Sequence, residues 1–277
     1  MATTTGTVHL DPFDPIDGQE LQPHQARVQD FLLGGKDHYA NDRQTAGALC
    51  AVAPGLAGTV RAGRRFMIRA ARHLATDHAL DQFLDVGSGL PFAPDLHDVV
   101  QAVHPRARVV YVDDDPTVVA HARALLTQSG SGVVECLEGD LRTPGPLLAS
   151  RGVQEVLDAG RPVAVFLLSV LHVIEDDDEA AAVVAELLAP WPPGSAVAIC
   201  TAWSQGAPLQ ASAMARLSRR HGLPVRVRTL DEIRALFGPA DLLDPGVVPV
   251  HRWLPGGADR RLRDHELLLA GGVAITR

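Results

Sequence analysis

The chain has 277 residues, 46% hydrophobic, 4% aromatic and 21% charged, with 25 Gly and 20 Pro. That composition excludes collagen-like, coiled-coil and wholly disordered chains and predicts one large globular domain, or one domain with an appendage. The formal charge is −8, Lys36 is the only lysine among 25 basic residues, and no long basic tract occurs, so neither a nucleic-acid partner nor a membrane anchor is expected.

Residues 1–22 lack apolar periodicity and read as a flexible leader. Over 23–80, Val28, Phe31 and Leu32, then Phe66, Ile68, Ala71 and Leu74, recur at helical spacing, which predicts an N-terminal helical cap. Residues 81–277 read as one α/β domain. Strands are predicted at Gln82 to Val86, Ala107 to Val112, Val133 to Glu138, Val163 to Leu168 and Ala196 to Thr201. Helices are predicted at Asp95 to Val103, Pro116 to Thr127, Leu147 to Leu157 and Asp176 to Leu188. Strands apolar on both faces and separated by helices imply a parallel sheet covered on both sides. Further helices follow at Leu209 to Arg220 and Asp231 to Phe237, the latter capped by Thr229 with Glu232 three residues on. Two terminal strands near Leu242 to Val250 and Leu267 to Thr276 complete seven.

Cys50, Cys136 and Cys200 are an odd number with no C-x-x-C, which argues against disulfides or structural zinc and for a reducing cytoplasm. The longest apolar stretch, Pro162 to Ile174, falls short of the ~20 residues of a membrane span. Met1 to Asp17 does not resemble a signal peptide.

The chemistry concentrates where strands end. Phe83-Leu84-Asp85-Val86-Gly87-Ser88-Gly89 runs an apolar strand into a G-x-G turn, which lets a backbone approach a nucleotide-like ligand closely. The second strand ends at Asp113-Asp114, 26 residues beyond Gly87, where a carboxylate accepts hydrogen bonds from ribose hydroxyls; the same acids also suit a helix cap. The third position of a G-x-G-x-x-G is Phe92, and Asp85 precedes the first glycine. A pyrophosphate would be repelled there, whereas a cationic amino acid moiety would be held, so S-adenosylmethionine is favoured over NAD. The third strand ends at Asp140-Leu141, suited to adenine or, equally, to a turn before Pro144.

These residues resemble class I S-adenosylmethionine-dependent methyltransferases, and more narrowly an actinobacterial S-adenosyl methyltransferase family long catalogued as a domain of unknown function. The resemblance is carried by Ala26-Arg27, Asp30, Leu32 to Asp37 and Asp42-Arg43, then by Gln82 to Pro91, Arg108 to Asp113 and Asp115-Pro116. It continues in Asp140 to Arg142, Leu171-His172 and Pro245 to Val247. It implies a seven-stranded, mostly parallel Rossmann-like sheet with helices on both faces and an antiparallel last strand. It places Asp85, Gly87 and Gly89 on the methionine side, Asp113 on the ribose, and Asp140 with Leu141 on the adenine. Lys36, Ser88, Asp114 and Ser169 join this cofactor-binding set.

Two catalytic candidates follow. His172, just beyond the fourth strand, titrates in the range useful to a general base; the alternative is a histidine packed under the next helix. The Gly34-Gly35-Lys36-Asp37-His38-Tyr39 turn can close over the sulfonium and exclude water, with Tyr39 among the reacting groups, or can simply end a helix. Arg61, Arg64, Arg65, Arg69 and Arg72 form a stripe that reads as a carboxylate site or a wet helix face. Trp191, Trp203 and Trp253 are candidates for an acceptor pocket or for core. No histidines or acids stand at metal-ligand spacing, so no metal is expected. The expected function is methyl transfer to a small-molecule oxygen or nitrogen, by a monomer or homodimer. A non-catalytic binder of S-adenosylmethionine or S-adenosylhomocysteine and an NAD(P)-dependent oxidoreductase stay open as alternatives.

Overall fold

The computed structural model describes residues 22–126 and 132–277. The leader, Gln22 excepted, and the end of the helix expected to reach Thr127 lie outside the described residues. In chain order the elements are α1 (Gln25–Leu33), α2 (Ala40–Val52), α3 (Leu56–Asp77), β1 (Gln82–Val86), α4 (Leu96–Gln101), β2 (Arg108–Asp113), α5 (Pro116–Leu126) and β3 (Val133–Glu138). There follow α6 (Pro144–Leu148), α7 (Arg151–Val156), β4 (Ala164–Leu168), α8 (Asp177–Leu188), β5 (Ala196–Ala202), α9 (Pro208–Arg220), α10 (Leu230–Ala235), β6 (Asp241–Leu242), β7 (Val248–Pro249) and β8 (Leu269–Ile275).

The sheet order is β3-β2-β1-β4-β5-β8-β6, with β7 also on β8. The first five strands are mutually parallel and β8 runs against β5, as the resemblance implied. The count differs: eight strands occur among the described residues, because the segment expected as one strand near Leu242 to Val250 is two. Leu242 pairs with Ala274 and Val248 with Gly271, both along the same edge of β8. Between them the Asp244-Pro245-Gly246 turn leaves the ladder, and proline has no N–H to offer it.

Alternation along the strands divides the core. Phe83, Val109, Phe166 and Ala198 face α3, whose Phe66, Met67, Ala70, Ala71 and Leu74 are buried against them. Leu84, Val110, Val165 and Val197 face the other way, onto Val153 of α7 and Val183, Val184 and Leu187 of α8. Phe66 is fully buried, so truncation to alanine there would cost about 3–5 kcal/mol. The same period of two places Asp85 on the α3 side of β1. α1 and α2 pack through Val28, Leu32 and Leu49 onto α3 and α9 in a separate apolar cluster.

The helix expected over Leu147 to Leu157 is broken into α6 and α7, because Ser150 turns out of the helix and its side chain caps Val153 N–H. The capping box at Thr229 and Glu232 forms as expected. The three tryptophans are core residues, Trp253 fully buried and Trp191 and Trp203 nearly so.

Candidate active site

The site starts at the end of β1. Gly87 and Ser88 N–H both donate to Val112 O at 2.8 and 3.0 Å, folding the turn over the end of β2. Gly87 and Gly89 have φ of +74° and +70°, a region that favours glycine. A side chain at Gly87 would strike Val170, whereas beside Gly89 the space is open. Gly89 N–H donates to Asp113 Oδ2 at 2.9 Å and Asp115 N–H to Oδ1 at 3.1 Å. Burial raises the Asp113 pKa, and those two donors oppose the rise.

Asp113 thereby stands in a cleft of about 270 Å3 lined also by Gly87, Gly89, Asp114, Asp140, Leu141 and Ser169. Asp140 is exposed and accepts from Arg142 N–H at 2.8 Å, so it shapes the turn after β3 as well as lining the cleft. Gln25, Ala26 and Gln29 of α1 form the opposite wall.

A smaller chamber of about 50 Å3 adjoins, with Asp85, Ser88, Arg64, Gln29 and Ser169 among its walls. Burial pushes the Asp85 carboxyl up to about 7; Arg64 opposes this, while Asp95 and Asp113 add to it. Among the described residues no hydrogen-bond donor reaches the Asp85 carboxylate. A buried acid in that condition has high affinity for a cation with N–H donors.

The third space, about 90 Å3, is apolar and lies between α1, α2, α3 and α9. His172 lines it, 6% exposed, in the single helical turn Leu171–Val173 after β4. Gln25 Nε2 donates to Ser169 O at 3.2 Å and also meets His172 Nε2. The carbonyl contact sets the amide's orientation, so His172 Nε2 accepts and the ring proton sits on Nδ1, which is buried without a partner. Burial, helped by the Arg228 guanidinium, lowers the His172 pKa to about 4. Gln29 and Ser169 line all three spaces. Ser169 has φ of +56°, strained for a residue with a Cβ.

α1 and α2 are fastened over the cleft. Arg27 bridges Asp42 at 2.9 Å and Asp115 at 3.0 Å, and His24 adds a 3.2 Å contact to Asp115. Buried Asp30 accepts from Asp37 N–H at 2.9 Å and meets His38 Nδ1 at 2.8 Å, fixing the glycine turn that follows α1.

The sequence from residue 13 to 277 matches the model of a family described as S-adenosyl methyltransferase. The chain belongs to the S-adenosyl methyltransferase family. This S-adenosyl methyltransferase is similar to a DUF574 family protein from Streptomyces avermitilis, at 36% identity and TM-score 0.90 over 92% of this chain and 98% of that one. A candidate methyltransferase from Thermobifida fusca has the same identity, with TM-score 0.85 over 92% and 96% of the two chains. Human N-acetylserotonin methyltransferase, solved with S-adenosylmethionine, shares the fold alone, at 16% identity and TM-score 0.50 over 84% of this chain and 57% of that one. No curated protein matches the sequence. The protein is therefore an S-adenosylmethionine-dependent methyltransferase, which removes the oxidoreductase alternative. Its residues fit that cofactor: Asp85 is a buried acid lacking a donor, and open space flanks the glycine turn.

Of the residues singled out in this S-adenosyl methyltransferase, Asp85, Gly87, Ser88, Gly89, Asp113, Asp114, Asp140, Leu141, Ser169 and His172 line the three spaces. Lys36 and Tyr39 line none of them. Lys36 is exposed, and Tyr39 precedes α2 with the Arg27 guanidinium 5.3 Å from its ring. The arginines of α3 hold loops: Arg64 grips Asp95 and the carbonyls of Phe92 and Pro94, and Arg65 and Arg69 hold Asp259. Gln25 and Gln29 were missed, although two glutamines four apart beside Val28 and Leu32 on one helix face are a visible polar interruption. Buried Arg228 was missed too; it joins the carbonyls of Leu171 and Ile174 to Asp177. Among the described residues no group of side chains could hold a metal ion.

Proposed function

We propose that Asp85 holds the α-ammonium of S-adenosylmethionine, Asp113 with Asp114 its ribose, and Asp140 with Leu141 its adenine, and that the methyl group passes to an oxygen or nitrogen of a small molecule. When bound, the cofactor supplies an electrophilic methyl carbon on a positively charged sulfur. The observation that carries this reading is the shared wall: Gln29 and Ser169 border the cleft, the Asp85 chamber and the apolar cavity alike. Donor and acceptor thus have separate spaces that meet at two residues.

The chain's own contribution is alignment. Orientation in favourable systems supplies roughly 7–11 kcal/mol of a barrier, and the fastened α1 is the element able to provide it here. His172 is neutral at physiological pH, its pKa lowered to about 4 by burial, and its Nε2 is taken by Gln25, so it is not placed to remove a proton from the acceptor. The protein acts in the cytoplasm without nucleic acid or membrane. The formal charge of −8 and three cysteines without a C-x-x-C support that reading.

Calorimetry with S-adenosylmethionine, S-adenosylhomocysteine and NAD, followed by label transfer from methyl-labelled cofactor into a cell extract, tests the proposal. The first two ligands bind and Asp113→Ala weakens both; label enters the low-molecular-mass fraction and Asp85→Asn abolishes it. Label found in protein or nucleic acid instead would overturn the acceptor class.

A further inference from the structure

The apolar cavity restricts what can be methylated. Its walls include Val28 of α1, Leu49 of α2, Val60 of α3 and Met214 of α9, with Leu223 and Leu268 from loops, and no lining residue is an acid, lysine or arginine. Several of its polar groups are engaged within the fold. The Thr59 hydroxyl donates to Gly55 O at 3.0 Å and accepts from Leu268 N–H at 3.2 Å, and the Gln25 amide is held by Ser169 O and His172. His172 Nδ1 is fully buried and has no partner among the described residues. An ammonium or carboxylate placed here would lose its hydration without gaining a counter-charge, which is prohibitive beside the cost of a neutral hydroxyl. A neutral hydroxyl carries no such penalty, and the Gln29 side chain, which lines this cavity and the cleft alike, is a polar group within its walls.

We infer that the acceptor is a neutral, largely apolar small molecule, bound in the cavity between α1, α2, α3 and α9 and methylated on a hydroxyl oxygen. The inference rests on the methyltransferase reading of the neighbouring cleft. In the step, a lone pair of the hydroxyl oxygen forms the bond to the methyl carbon. The carbon–sulfur bond breaks with its electron pair retained by sulfur as a neutral thioether, and the hydroxyl proton leaves to water at the cleft. No side chain in the cavity is placed to keep that proton. The hydroxyl must therefore be acidic enough to release it, as a phenol is, and the arrangement favours oxygen over a nitrogen that is protonated at neutral pH.

The probes are two matched series, phenol, benzylamine and benzoate, then 2-naphthol, 2-(aminomethyl)naphthalene and 2-naphthoate, titrated at neutral pH into the full-length protein saturated with S-adenosylhomocysteine. At least one neutral member binds about tenfold or more tighter than both of its charged counterparts, and Met214→Trp, which fills the cavity, weakens it by at least a similar factor while leaving the cofactor affinity and melting temperature unchanged. Val225→Phe, on the half-buried wall, is the second cavity-filling variant should Met214→Trp fail to fold. Equal or tighter binding of a charged member, no binding by either neutral member, or indifference to cavity filling would overturn the inference. Failure of S-adenosylhomocysteine to bind in the same samples would instead sink the cleft assignment beneath it.

Discussion

Asp85 and His172 are both buried, and burial moves them in opposite directions, to about 7 and about 4 from ordinary values of 3.8 and 6.5. Between pH 3.8 and 7 the folded protein keeps a proton on Asp85 that the unfolded chain has released, so this group makes stability fall as pH rises through that window. Between pH 6.5 and 4 the unfolded chain takes up a proton on His172 that the folded protein refuses, so this group makes stability fall as pH drops. Each unit is about 1.4 kcal/mol, hence Asp85 contributes on the order of 4 kcal/mol and His172 on the order of 3 across their windows, and in the wild type the two slopes oppose one another. Asp85→Asn leaves His172 alone and should steepen the loss of melting temperature from pH 7.5 to 4.5. His172→Gln should flatten it, and parallel profiles for all three proteins would contradict the account. Affinity for S-adenosylmethionine should also fall as pH drops below about 7, since the protonated Asp85 cannot pair with an ammonium, and that dependence should vanish in Asp85→Asn.

At the scale of elements, the first helix has the most to explain. Its face toward the cleft carries Gln25 and Gln29, and Arg27 fastens it to Asp42 within the helical segment and to Asp115 beyond β2. Guanidinium geometry matters in such a fork, and removing Arg27 would take the counter-charge from two carboxylates that keep only backbone N–H donors and His24. Asp115→Asn is the gentler test: amides of α1 should exchange faster while those of β1 and β2 keep their protection, and unchanged exchange in α1 would show that apolar packing alone seats it. The residues that carry the family resemblance in this segment, Arg27, Asp30 and Asp42, hold the segment together and to the cleft rather than touching it chemically. The arginines of α3 teach a similar lesson. Helical spacing showed that they share a face, but whether such a face is wet, binds substrate or holds loops depends on Asp95 and Asp259, which sequence spacing does not bring near.

Over the whole molecule, legibility follows locality. β1 and β3 fall at the residues expected because their apolar runs and flanking turns are contiguous, and the three acids closing β1, β2 and β3 could be read for the same reason. The divided edge at β6 and β7 could not, since pairing with β8 is decided about thirty residues away. Nor could the apolar cavity, whose walls run from Gln25 to Leu269 and whose key contact joins Gln25 to His172 across 147 positions. The left-handed backbone of Ser169 belongs to this class as well: no local signal asks for it, and it exists where β4 feeds all three spaces. A non-glycine residue there costs about 1–2 kcal/mol. Ser169→Gly should therefore raise the melting temperature by about 2–4 °C yet slow turnover, because the carbonyl that orients Gln25 would sit on a freer hinge. A variant both hardier and no slower would show the kink to be an accident of folding. Otherwise evolution has kept a weak link at the enzyme's centre, and thermostabilised versions sought for use as catalysts should be screened for activity first at position 169.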